Sequence, residues 1–171
     1  MAGKVTFGVL YCFFVIGHGR RRILHCNVTR HPGSAWVAQQ LREAFPYDPA
    51  IKYLIFDRAA NFGEEVVGTI KNFGIQPKQT SFCSPWQNGV AERFVGSCRR
   101  DLLNHVIALN ERHLKRLMSE YIRYYHDDQT HLGLAKQTPA GRTAAKDTAA
   151  DSKVVCASRL GGLHHRYDLA A

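Results

Sequence analysis

No aspartate or glutamate occurs before Glu43, so the first quarter of this 171-residue chain carries no negative side chain. The deficit runs through the whole sequence: 14 Asp and Glu stand against 23 Lys and Arg, a formal charge of +9. Such a surplus favours polyanions, chiefly nucleic acid, although alone it fits a basic but indifferent surface equally well. Cysteine is sparse and unpaired. There are five, widely spaced, with no C-x-x-C pair. That argues against a disulfide framework and a zinc ribbon, and points to a reducing, cytoplasmic setting. The nine histidines include His164-His165 but have no finger spacing. No apolar run reaches the length of a bilayer span. Val5 to Gly17 is too short, and Gly19-Arg20-Arg21-Arg22 stand where a signal peptide would have its small-residue cleavage site. No membrane partner is expected. Internal repeats are absent as well.

What is present reads as one α/β domain. Hydrophobic residues make up 45% of the chain and charged residues 22%, enough for a real core. Residues 5–17 and 22–29 read as two strands around a basic, Gly-containing turn at His18-Gly19-Arg20-Arg21. Pro32 opens a helix with Val37, Leu41, Ala44 and Phe45 on one face, ended by Pro46 and Pro49. A short buried strand, Tyr53-Leu54-Ile55-Phe56, stops at Asp57. Val66, Val67, Ile70 and Phe73 then line a helix that Gly74 terminates. Ile75 to Phe82 is extended, and Pro77 assigns it to a sheet edge.

A long helix is expected from Asn88 to about Leu109, with Val90, Phe94, Cys98 and Leu102 as its stripe. Asn110 caps the next helix, where Leu114, Leu117, Met118, Tyr121, Ile122 and Tyr125 repeat at core spacing. Asp127 and Asp128 come next, in a stretch that reads as a solvated polar loop. Ala, Thr, Lys and Asp dominate after Thr138-Pro139 as a linker, and Val154 to Ala157 is compatible with a short strand.

Two acids stand out by position. Asp57 closes a buried strand, where side chains project into a cleft beyond the strand's C-terminal edge. Glu92 sits in the first turns of the long helix. The thirty-five positions between them hold one helix and one strand, a length that folds back on itself. Paired carboxylates suit hard divalent cations such as Mg²⁺ or Mn²⁺. Two such cations would activate a nucleophile and stabilise the leaving oxygen at a phosphodiester. The plainer reading is that Asp57 caps a turn and Glu92 favours a helix N-terminus.

The words around these acids resemble a known family. Asp57-Arg58-Ala59-Ala60-Asn61-Phe62-Gly63 is similar to the segment around the second aspartate of DDE transposases and integrases. Ser84-Pro85-Trp86-Gln87-Asn88-Gly89-Val90-Ala91-Glu92-Arg93 resembles the segment that ends in their glutamate. Tyr124-Tyr125-His126, His131-Leu132-Gly133-Leu134 and Thr138-Pro139 look like the stretch after the core in bacterial members. Gly161-Gly162-Leu163-His164-His165-Arg166-Tyr167 looks like a bacterial subgroup's tail.

The resemblance implies a ribonuclease H-like fold, a mixed sheet flanked by helices. It implies Mg²⁺- or Mn²⁺-dependent phosphodiester cleavage and strand transfer, DNA as partner, and a homo-oligomeric assembly. By this resemblance Asp57 and Glu92 are catalytic metal ligands. Arg99, two helical turns beyond Glu92, would clamp a DNA phosphate, with Arg93 and Arg100 as weaker candidates beside an ordinary solvated face. Gln87 and Asn88 would position DNA or cap the helix, the cap being favoured for Asn88.

The pattern breaks at its beginning. The family uses three carboxylates, the first on the opening, central strand, just upstream of the hairpin that begins here near Val5. Only Met1-Ala2-Gly3-Lys4 precede it. The expectation is an N-terminally truncated chain: a core-like domain over residues 1–139 lacking its first strand, a linker over 140–153 and a tail over 154–171. Two remaining carboxylates would hold one metal at best. Loss of a central strand would leave unpaired backbone and an apolar gap, unless residues 5–17 shift inward to pair with 52–57.

Three functions compete. The chain is a core that is active at full length, or a truncated remnant that binds nucleic acid without cutting it. The third, an RNA-binding module, lacks the aromatic, Gly-rich words of such modules and leaves Gln87 to Glu92 unexplained.

Overall fold

A computed structural model describes residues 8–47, 50–142 and 153–170. The chain opens with a hairpin of β1 (Tyr11–Ile16) and β2 (Ile23–Thr29), antiparallel from Tyr11↔Thr29 to Ile16↔Ile23 with a bulge between Val15 and Ile16. The expected first strand, 5–17, therefore begins later; residues 5–7 lie outside the described residues. Side chains along β1 alternate between two cores. Phe14 and Ile16 pack on one face against Phe94, Met118 and Tyr121, while Phe13 and Val15 pack on the other against Val37, Leu41 and Ile70.

Helix α1 (Ser34–Ala44) starts two residues after Pro32 and buries Val37, Ala38 and Leu41. Its buried Gln40 accepts hydrogen bonds from Asn27 Nδ2 at 2.8 Å and His25 Nε2 at 2.9 Å, which fixes the helix over the hairpin. Strand β3 (Tyr53–Phe56), helix α2 (Glu64–Asn72) and strand β4 (Gln76–Gln79) form a βαβ unit, with β3 and β4 parallel from Tyr53↔Gln76 to Phe56↔Gln79. Glu64 and Glu65 stand in the first turn of α2, where the helix dipole favours negative charge. Gly74, at φ 71°, ends the unit's turn in the left-handed region that glycine adopts without a Cβ clash.

Helix α3 (Gly89–Asp101) comes after a 3-10 turn at Pro85–Asn88 and is shorter than the sequence implies. Four-residue steps drift by about 40° each around a helix of 3.6 residues per turn, so Leu102 would leave the Phe94–Cys98 stripe. Breaking the helix at Leu102 (φ −134°, ψ −62°) lets that side chain enter the core beside Leu114 and Met118. Helix α4 (Glu111–Asp127) keeps its expected start. Asn110 Oδ1 accepts the His113 N–H at 2.8 Å, and Leu114, Met118, Tyr121 and Tyr125 are buried.

The tail is more ordered than a single short strand. Strands β5 (Lys153–Arg159) and β6 (His164–Ala170) form an antiparallel hairpin. Its turn carries Leu160, Gly161 and Gly162 at positive φ. Asp128 anchors it and corrects the expectation of a solvated loop. That carboxylate is only 5% exposed, with Arg159 Nε at 2.6 Å, Arg166 Nη1 at 3.3 Å and Arg142 Nη1 at 3.7 Å. Its burial follows from basic partners far away in sequence. Most of the expected 140–153 linker lies outside the described residues. None of the described helices is long and apolar enough to cross a membrane.

The antiparallel pair β1–β2 and the parallel pair β3–β4 are separate two-stranded sheets. The inward shift of the opening strand toward residues 52–57 is therefore overturned. Such a shift would pull Val15 from the α1–α2 core and Phe14 from Phe94, whose ring lies 4.8 Å away. A cavity of about 520 Å³ separates the pairs instead, lined by Cys12–Ile16 of β1 and Tyr53–Phe56 of β3.

Candidate active site

The two acids reach one cleft by different local routes. Phe56 is buried at the end of β3, and the next residue, Asp57, emerges at the surface. Asp57 Oδ1 accepts the Ala59 N–H at 3.0 Å, an Asx turn that fixes one carboxylate oxygen. Arg58 Nε donates to Thr80 O at 2.9 Å and ties the same loop to the chain just past β4. On the other side, Gln87 Oε1 accepts the Ser81 N–H at 2.7 Å and Gln87 Nε2 donates to Ser81 Oγ at 3.3 Å. This clasp closes the loop that delivers the first turn of α3, and with it Glu92.

Asp57, Asn88 and Glu92 all line the cavity between β1 and β3. Asn88 stands at the N-cap position of α3, yet its side chain makes no cap hydrogen bond, which corrects the capping expectation. Its φ of −119° and ψ of 37° follow from the 3-10 turn before it. Carboxylate and amide oxygens are hard donors, the type that hard divalent cations take. Among the described residues no three His, Cys, Asp or Glu side chains converge as a metal site.

The arginines on α3 are dispersed. Arg99 lines a second cavity of about 510 Å³, bordered by Phe94, Cys98 and Met118, and not the one that holds Asp57 and Glu92. Arg100 is mostly exposed and pairs with Asp101 at 3.3 Å and Ser97 Oγ at 3.2 Å. Arg93 is exposed, and its charge helps hold the His131 imidazole below its ordinary value, after burial and Arg21. The structure thus gathers Asp57, Asn88 and Glu92, uses Gln87 to hold a loop, and sends the three arginines elsewhere along α3.

Sequence reasoning missed two long-range contacts. Arg20, read as part of a basic turn, clamps the segment after α4: Nη1 donates to Gln137 Oε1 at 2.9 Å and Nη2 to Thr138 O at 2.7 Å. His126 Nε2 accepts the Ile23 N–H at 2.8 Å, and burial, then Arg22, keep that imidazole below its ordinary value and suited to accept. Neither contact has a local sequence signal beyond the residue types themselves.

Residues 73–139 match the integrase core domain family. The matched segment contains Glu92, Gln87 and all three α3 arginines, while Asp57 precedes it. This part of the chain is integrase-core-like. The fold as a whole resembles a chain in the cryo-EM structure of the simian T-cell lymphotropic virus intasome in complex with PP2A regulatory subunit B56 gamma. The TM-score is 0.60 at 11% identity, over 96% of this chain and 62% of that one. The fold is therefore α/β and ribonuclease H-like, with β1–β2 and β3–β4 as separate two-stranded sheets. No curated protein sequence matches the chain.

Proposed function

We propose that this chain is a DNA-binding core of the integration and transposition type, in which Asp57 and Glu92 serve as ligands of a single divalent cation. The observation that carries the reading is the shared cavity wall of Asp57, Asn88 and Glu92, next to a segment that matches integrase cores. A bound Mg²⁺ or Mn²⁺ would supply Lewis-acid polarisation of a phosphodiester oxygen. The chain's own residues do the rest. The Asx turn fixes one oxygen of the Asp57 carboxylate, and the Gln87–Ser81 clasp holds the loop that leads into the helix carrying Glu92. Arg93, Arg99 and Arg100 on α3, with Arg112, Lys115, Arg116 and Arg123 on α4, are exposed and supply a basic surface for DNA phosphates. Assembly as a homo-oligomer is part of the same reading, as is a cytoplasmic setting.

Two carboxylates support one cation, and two-metal strand transfer needs more. The chain by itself therefore binds DNA without joining ends. Three to five phosphate contacts would give a slope of log K against log salt of roughly −3 to −4.5. The test has two arms: DNA binding across a salt series, and Mg²⁺-dependent joining of a DNA 3′ end to target DNA. Salt-insensitive or absent binding refutes the DNA reading. Strand transfer that Asp57→Asn or Glu92→Gln abolishes refutes the inactivity and restores the full enzyme.

A further inference from the structure

The first hairpin brings two thiols into contact. Its register sets Cys12 opposite Val28 and Phe14 opposite Cys26, so the two cysteines are diagonal neighbours on one face of the ladder. That is the face on which Phe14 meets Phe94. The two sulfurs lie 3.5 Å apart, within reach of an S–H hydrogen bond. Their surroundings differ: Cys12 is exposed, whereas Cys26 is half-buried against the core of α3 and α4. The hydrogen bond from Cys26 holds the Cys12 thiol below its ordinary value, while the same bond and burial push Cys26 up. Cys12 therefore ionises first, and the Cys26 S–H donates to it. A third sulfur nearby is engaged elsewhere. Cys98 is buried, donates to Met118 Sδ at 3.6 Å, and is pushed up to about 12 by burial.

We propose that Cys12 and Cys26 are a reversible oxidation site for small hydroperoxides, with Cys12 attacking and Cys26 resolving. The Cys12 thiolate attacks one peroxide oxygen and the O–O bond breaks. The departing oxygen takes up a proton and leaves as water or alcohol, and Cys12 becomes a sulfenic acid. The Cys26 sulfur then attacks Cys12 Sγ while its own proton passes to the leaving hydroxide. The S–O bond breaks, an S–S bond forms and water departs. Two thiols are oxidised and one peroxide is reduced. The 3.5 Å separation is already a near-attack distance for the second step. Diagonal ladder positions stand further apart than opposite ones, which strains the bond and keeps it reducible. The inference goes beyond the nucleic-acid reading and stands without it.

The experiment treats the reduced full chain with hydrogen peroxide, blocks the remaining thiols by alkylation, and maps the peptides by mass spectrometry without reductant. Trypsin separates the pair, because Arg20, Arg21 and Arg22 stand between the two cysteines. Two of the five free thiols should disappear, with one crosslink joining Cys12 to Cys26, and dithiothreitol should restore both. Cys26→Ser should stop the reaction at a Cys12 sulfenic acid, trapped by dimedone. Cys12→Ser should leave Cys26 open to alkylation; should either serine disturb the hairpin, the map of the unaltered chain still decides. Cys83 and Cys98 supply an internal control. Their separation of fifteen positions nearly equals the fourteen between Cys12 and Cys26, so chain entropy alone favours neither pair. In urea the preference for Cys12–Cys26 should therefore vanish.

Five intact thiols after treatment overturn the inference, and so do crosslinks dominated by Cys83, Cys98 or Cys156. A Cys12 sulfinic acid beside a free Cys26 shows that no resolving step occurs and overturns it. The same Cys12–Cys26 preference in urea assigns the bond to chain proximity and not to the fold, which overturns it as well.

Discussion

Replacing Asp128 with alanine should loosen the C-terminal hairpin while leaving the rest of the domain intact. The carboxylate is 5% exposed, and its three arginine partners are each about a third exposed, at 33%, 30% and 32%. Breaking a fully buried ion pair costs about 3–5 kcal/mol, and an exposed pair contributes about 0–1 kcal/mol. Water can reach these guanidinium groups once the acid is gone, so about 2 kcal/mol is the expected loss. Arg159 lies on β5 and Arg166 on β6, which directs the loss to hairpin docking. At 1.36 kcal/mol per factor of ten, the hairpin should open roughly 30-fold more often. Other ties remain: Arg142 Nη2 donates to Asp168 Oδ1 at 2.8 Å, His164 Nε2 donates to Asp101 O at 2.9 Å, and the His164 ring stacks on Tyr124 at 4.8 Å. The hairpin should therefore stay docked on average. Native-state hydrogen exchange monitored by mass spectrometry reads the difference between peptides from 153–170 and peptides from α3. Equal acceleration in both, or none in either, would refute the reasoning.

Three further outcomes rest on the same contacts. Phe94→Ala should cost about 3–5 kcal/mol in denaturant unfolding, because a buried ring that meets Phe14 at 4.8 Å and Tyr125 at 5.1 Å leaves a cavity at the centre of one core. Asn110→Ala should cost about 1 kcal/mol by removing the one side-chain cap of α4, with Asn110→Asp recovering most of it. Stability should also depend on pH through His126, whose native value lies below the ordinary 6.5 through burial and Arg22. The unfolded chain takes up the proton first, so this contribution is complete above 6.5 and is lost as pH falls from there through the native value. Denaturation midpoints across that range should fall, and His126→Gln, which still accepts from Ile23 but does not titrate, should flatten the curve.

Features governed by short-range physics were legible in the sequence. The Leu114–Met118–Tyr121–Tyr125 stripe, the Asn110 cap and the Gly74 stop each depend on a few neighbouring residues, and each stands where residue type and spacing put it. The words around Asp57 and Glu92 were equally readable, since turn chemistry is local: the Asx turn at Asp57 and the 3-10 turn before α3 need only their own residues. The Asn88 cap failed locally, to the 3-10 turn before it, whereas other failed expectations involved distant partners. Leu102 leaves its helix for a pocket formed with Leu114 and Met118, and Asp128 is buried because arginines from Arg142 to Arg166 converge on it.

The opening deficit of acids takes its meaning from this division. Sequence alone determined that no carboxylate precedes Glu43, that the chain is basic, and that Asp57 and Glu92 end a strand and begin a helix. Only the tertiary structure decided that those two acids share a cavity wall with Asn88, that Arg99 does not join them, and that β1 and β3 stay apart. The reason is physical. A strand's side-chain pattern says which faces it buries, whereas its edge partners are set by where the two cores hold it. Here Phe14 packs into the core of α3 and α4 and Val15 into that of α1 and α2, and β1 and β3 line a shared cavity without pairing.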